Sequence, residues 1–145
     1  SYFVRCSRIS AALVSGFTLG IIFSILPFSS IMENSIVYGN YTNEVQTNFD
    51  SEATYLFTNC LLKQRVNEVL NPPYSSCIFN AKPLFVFETW IEERPHVYDF
   101  RLQSGSAAIG IGDNNIVTDD LLLDLDGNNR LSDGSCDAGC YEYVL

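Results

Sequence analysis

The run Asp124-Leu125-Asp126-Gly127-Asn128 sets two carboxylates and an amide at alternate positions, a donor set that suits a hard cation such as calcium. It is not an EF-hand loop, because Gly127 comes too early and the twelfth position holds Ser135 in place of Glu. Asp124, Asp126 and Asn128 are therefore the candidate calcium ligands. The same residues also read as an ion-free turn, with Asp126 capping Gly127-Asn128 and Arg130 pairing with a nearby carboxylate. The adjacent acids Glu92-Glu93 and Asp119-Asp120 would point to opposite faces of a strand and could not act together in hydrolysis. His96, the sole histidine, follows Pro95 without a nucleophile motif around it. Trp90 and Tyr98, with Phe100 nearby, offer flat apolar faces that could stack on a sugar ring or equally fill a core. No catalytic constellation emerges, and no organic cofactor is expected.

Cys6, Cys60, Cys77, Cys136 and Cys140 make an odd count with no C-x-x-C pair, so zinc is disfavoured and buried free thiols are expected. A Cys136–Cys140 bridge is conceivable but would close a very tight loop.

The elements that must position these residues follow from composition. Hydrophobic residues make up 47% of the 145 and charged residues 17%, which excludes global disorder and allows one packed domain. The polar complement is mostly Asn, Ser, Thr and Asp, which favours strands and turns. From Asp99 onward nine acids face two bases, so −7 of the net −9 is carried there. Such a surface repels phosphate, and a nucleic-acid partner is not expected; cations and neutral or basic ligands remain compatible with it.

Ile9–Met32 holds no charged residue and follows Arg5 and Arg8, as a membrane anchor would. Scattered serines, Gly16, Gly20, Pro27 and many β-branched or aromatic residues favour buried strands over that anchor or a remnant leader. Strand-like runs follow at Ile31–Tyr38, Ala53–Leu62 and Lys82–Phe87. Leu62–Leu70 has two turns of amphipathic helical spacing before Pro72-Pro73, and reads as a short helix or an irregular loop. After Asp99 glycines recur beside Asp, Asn or Ser, which predicts a meander of turns.

Tyr98–Tyr143 resembles the closing segment of bacterial secreted and cell-surface right-handed parallel β-helix proteins, pectate-lyase-like in fold. Pro83, Leu84 and Phe85 match the first element of that pattern. Tyr98, Leu102, Ser104, Ser106, Ala108, Ile109 and Gly112 match the second, and Asp124, Asp126, Gly127 and Arg130 the third. Asp137, Gly139, Tyr141 and Glu142 match the last, while Asn34–Asn40 resembles a strand and turn of an upstream coil. Ala107, Gly110, Ala138 and Cys140 depart from the pattern.

The resemblance implies an all-β solenoid, with residues 1–98 forming about four coils at roughly 20–25 residues each and residues 99–145 forming a Gly/Asp-rich C-terminal cap. The cap residues it implies are Asp124, Asp126, Gly127, Arg130, Asp137, Gly139, Tyr141 and Glu142, with Arg130 forming a bidentate pair with Asp124, Asp137 or Glu142 that holds the cap onto the last coil. A stacked-strand fold exposes an unpaired last edge, and a cap over that rung would cover it. Functionally it implies the C-terminal part of an extracytoplasmic scaffold or glycan-contacting protein, with polysaccharide or cell-surface glycan as partner. The alternative is the C-terminal fragment of a polysaccharide lyase or glycoside hydrolase with its active residues upstream.

Overall fold

The computed structural model describes residues 2–4, 29–39, 41–45, 54–64, 74–87 and 98–144. They form nine strands joined by turns, plus two single 3-10 turns at Asn114–Ile116 and Asp119–Leu121. The strands are β1 (Tyr2–Val4), β2 (Ser29–Glu33), β3 (Ile36–Tyr38), β4 (Thr54–Thr58), β5 (Leu61–Leu62), β6 (Tyr74–Ser75), β7 (Ile78–Phe79), β8 (Phe85–Phe87) and β9 (Asp99–Leu102).

Two parallel ladders carry the architecture. β2, β4 and β6 pair in that order, and so do β3, β5 and β7. Consecutive strands of the two ladders are joined by tight corners at Asn34-Ser35, Asn59-Cys60 and Ser76-Cys77. Each tier is thus one bent strand pair stacked on the next. Ile36, Leu61 and Ile78 share one register position, so successive tiers consume 25 and 17 residues.

The corners explain why two runs expected as single strands are each split. Asn34, Asn59 and Ser76 sit at φ 46°, 53° and 53°. Asn tolerates this left-handed conformation because its short polar side chain bonds locally. The corners themselves remain laddered: Asn34 N–H donates to Thr58 O at 3.1 Å, Asn59 N–H to Ser75 O at 3.0 Å, and Leu61 N–H to Ser35 O at 2.9 Å. The bend therefore leaves these amides paired.

Side-chain alternation then builds two cores, one on each face of the β3–β5–β7 ladder. Val37, Leu62 and Phe79 face Met32, Phe57 and Tyr74 of the other ladder, with Val45 and Cys60 completing that core. Phe57 stacks on Tyr74 at 5.3 Å, and Tyr74 meets Phe79 edge-on at 5.2 Å. Ile36, Leu61 and Ile78 face the other way, against Phe85, Leu102, Ala108 and Ala138.

The C-terminal segment therefore lies along the side of the stack. Its hydrogen bonds reach the first tier at Asn34 and the second at Asn59, where a cover over the last rung alone was expected. The cause is the double-sided ladder: both alternate sets of its side chains are apolar, so the outward set also needs a cover.

Not all pairing is parallel. β1 pairs antiparallel with β3, and β8 antiparallel with β9, so β9 joins the segment before residue 98 to the one after it. Within the expected Lys82–Phe87 strand, Leu84 at φ 46° delays the strand to Phe85.

Most of the uncharged run Ile9–Met32 lies outside the described residues, although Ser29–Met32 belongs to β2. No helix among the described residues is long and apolar enough to cross a membrane. Of the run expected as a helix or loop at Leu62–Leu70, Leu62 ends β5, Lys63-Gln64 is irregular, and the remainder lies outside the described residues.

Candidate functional site

Two asparagine corners anchor the C-terminal segment. Asn34 is buried, and its side chain meets the Asp113 backbone twice: Nδ2 donates to Asp113 O at 3.1 Å, and Oδ1 accepts from Asp113 N–H at 2.7 Å. Its own carbonyl accepts from Gly139 N–H at 2.9 Å. One tier on, Asn59 Nδ2 donates to Ile111 O at 2.8 Å. The same residues thus bend the strand and hold the segment that crosses the tiers.

Within that segment, Asp124 organises the turn. Its Oδ1 accepts from the N–H groups of Asp126 (2.8 Å) and Asn128 (2.7 Å), and its Oδ2 from Asn128 Nδ2 (3.1 Å) and Glu142 N–H (2.9 Å). Burial disfavours its charge, but the amides of Glu142, Asn128 and Asp126 and the Asn128 side chain outweigh that and lower its pKa. The turn cap expected of Asp126 is therefore supplied by Asp124. Gly127 follows at φ 85°, in open space, where a left-handed residue is required.

Asp126 instead turns outward. Its two oxygens take Arg101 Nε at 2.5 Å and Nη2 at 3.0 Å, while Arg101 Nη1 reaches Asp99 at 2.9 Å. The Arg101 hydrogen bonds hold Asp126 below the usual carboxylate range. The guanidinium also lies over the Tyr141 ring at 5.4 Å. The carboxylate oxygens that a cation at Asp124, Asp126 and Asn128 would use are thus already turned to protein donors. Among the described residues no group of three or more His, Cys, Asp or Glu is placed to hold a metal.

Beneath the turn lies a buried ion pair. Arg130 Nη1 donates to Glu142 Oε1 at 2.6 Å, and both side chains are nearly inaccessible, at 3% and 5% exposure. Of the three carboxylates expected as its partner, Arg130 takes Glu142. The Asp137 N–H donates to the same carboxylate at 3.0 Å, while Asp137 accepts from Gly110 and Tyr143 N–H, each at 2.7 Å. Burial, reinforced by the Asp137 charge and opposed by Arg130, pushes Glu142 up to about 7. Asp137 is also raised, chiefly by burial, against the two amides it accepts from. Among the described residues Arg130 Nε is buried without an acceptor. Gly139 carries φ 108°, which lets its amide meet the Asn34 carbonyl.

Tyr98 is half-buried and stacks on Phe100 at 5.8 Å, so one of its faces is taken by a neighbour. Trp90, Glu92-Glu93 and His96 lie outside the described residues. Asp119 and Asp120 sit on a 3-10 turn, not on a strand, and Asp120 accepts from the Thr118 hydroxyl. Cys60, Cys77, Cys136 and Cys140 are free thiols, Cys60 and Cys136 fully buried.

Sequence reasoning missed Asn34 and Asn59 as the clasp, and Arg101 as the partner of Asp126. The available signal was recurrence: Asn34-Ser35, Asn59-Cys60 and Ser76-Cys77 each pair a turn-tolerant residue with a small one. Chemically, the assembly is a fixed polar clasp beneath an exposed Asp99–Arg101–Asp126–Tyr141 surface. Comparison with known protein families, with characterised proteins and with solved structures yields no match.

Proposed function

We propose that the chain is the C-terminal part of a secreted or cell-surface right-handed parallel β-helix protein of bacterial type. In this reading it acts as a scaffold that presents a glycan-contacting surface. The observation that carries the reading is the register-matched ladder of three bent tiers, in which equivalent corners recur at Asn34, Asn59 and Ser76. Supporting it, Asp124, Asp137, Glu142 and Arg130 are spent on holding the C-terminal segment together. A rigid support is the arrangement that presents a binding surface at low entropic cost.

Tyr98, just before strand β9, and the surface formed by Asp99 and Arg101 of β9 with Asp126 and Tyr141 constitute the proposed contact face. An aromatic ring beside bidentate polar groups suits a sugar, whose rings stack and whose hydroxyls both donate and accept. The net charge of −9 directs the preference to neutral or basic glycans.

A glycan array probed with the intact protein and with Tyr98→Ala and Arg101→Ala tests the proposal. The expected result is retention of neutral or basic glycans by the parent protein and loss of signal in both variants, with melting temperatures little changed. Binding that survives both substitutions, or no binding to any glycan, refutes the contact face.

A further inference from the structure

The corner residues Ser35, Cys60 and Cys77 occupy one column, one residue before the Ile36–Leu61–Ile78 register position. Their side chains repeat a single pattern. Ser35 Oγ donates to Glu33 O at 2.6 Å, Cys60 Sγ to Thr58 O at 3.2 Å, and Cys77 Sγ to Ser75 O at 3.5 Å, each two residues back. Each sulfur also lies 3.4 Å from a carbonyl of the preceding tier, Cys60 from Met32 O and Cys77 from Phe57 O, a second acceptor within reach of its single S–H. They are therefore oriented alike and stand one tier apart. Backbone pairing fixes that spacing, since Ile78 N–H donates to Cys60 O at 2.8 Å. Laddered strands lie about 4.8 Å apart, within the span of about 4.4–6.8 Å that a disulfide bridges between Cα atoms.

We propose that Cys60 and Cys77 form a redox-closable dithiol, a modification site that takes small-molecule disulfides as oxidant and cross-links adjacent tiers. The two thiols are unequal. Cys60 is fully buried and Cys77 half-buried. The interaction between the two neighbouring thiols lowers Cys77, and the same interaction together with burial raises Cys60. Cys77 is thus the attacking sulfur and Cys60 the resolving one.

In the first step the Cys77 thiolate attacks one sulfur of the disulfide RSSR. The S–S bond breaks, and RS⁻ leaves to take up the proton that Cys77 released. In the second step Cys60 loses its proton and attacks the Cys77 sulfur, displacing the other RS⁻, which is protonated in turn. Two protein thiols are oxidised and one RSSR is reduced to two RSH.

The test treats the intact folded protein with oxidised glutathione, quenches it in acid, alkylates the remaining thiols and maps the digest by mass spectrometry. The expected product is a Cys60–Cys77 linked peptide with loss of two alkylatable thiols. The Cys60→Ser variant, which repeats the residue found at position 35, should stop at a glutathione adduct on Cys77. Brief alkylation of the native protein should label the half-buried Cys77 about tenfold or more ahead of the fully buried Cys60. A linkage between other cysteines, an adduct that persists on Cys77 in the parent protein, or no reaction while folded would overturn the proposal.

Discussion

Replacing Asn34 tests whether one corner residue both bends the strand and holds the C-terminal segment. Asn34→Ala removes the two hydrogen bonds to Asp113 and leaves that half-buried N–H and C=O without their partner. Each lost bond costs about 1 kcal/mol net, and more where the abandoned group stays dry. Alanine must also hold φ 46°, a left-handed conformation that costs roughly 1–2 kcal/mol without the local bonding of Asn. The expected total is about 3–4 kcal/mol, or on the order of 10 °C in melting temperature for a domain of this size. Asn34→Gly keeps the conformational freedom and loses only the bonds, so it should cost about 2 kcal/mol. Urea titration followed by far-UV circular dichroism measures both variants. Hydrogen exchange should show lost protection at the Asp113 and Gly139 amides, which meet Asn34 directly. Equal costs for Ala and Gly would remove the backbone contribution. Costs below about 0.5 kcal/mol for both, the range of ordinary surface substitutions, would refute the clasp.

Three other perturbations have defined outcomes. Arg130→Ala removes the buried counter-charge of Glu142, leaving the Asp137 amide as its remaining donor, and should cost about 3–5 kcal/mol in urea unfolding. Glu142 is raised to about 7 in the folded state, so its contribution is fully present below its ordinary pKa and is lost as pH rises toward 7; Asp137, raised as well, acts in the same direction. Melting temperature should therefore fall between pH 5 and 8 by an amount that Glu142→Gln largely abolishes, whereas lowered Asp124 stabilises only above its ordinary pKa and weakens the fold in stronger acid. A Cβ at Gly112 would stand 2.5 Å from Cys136 Sγ and 2.8 Å from Cys136 O, so Gly112→Ala should cost about 1–3 kcal/mol by overpacking, measured by thermal melting.

How much was legible in advance depended on whether a residue's role is local. Apolar alternation and β-branched content placed strands within Ile31–Tyr38 and Ala53–Leu62, and the structure carries strands in both. The glycines beside Asp and Asn announced a segment built of turns, because positive φ and short side-chain caps are properties of a few consecutive residues. The corners were half-legible. Asn34 and Asn59 are visible turn formers, but whether an Asn inside an apolar run bends it depends on what lies beyond the bend.

Tertiary structure alone decided the pairings. Arg130 had three candidate carboxylates at suitable separations and takes Glu142, because Asp124 is filled by four N–H donors and Asp137 by two. Asp126 faces Arg101, 25 positions away, a partner that no local rule selects. Cys60 and Cys77 become neighbours only through the parallel ladder's register. Composition and periodicity thus determined a chain of strands and turns with a surplus of apolar faces. Which face each segment covers, and which charge meets which, depended on contacts between residues remote in sequence, and those exist only once the tiers have stacked.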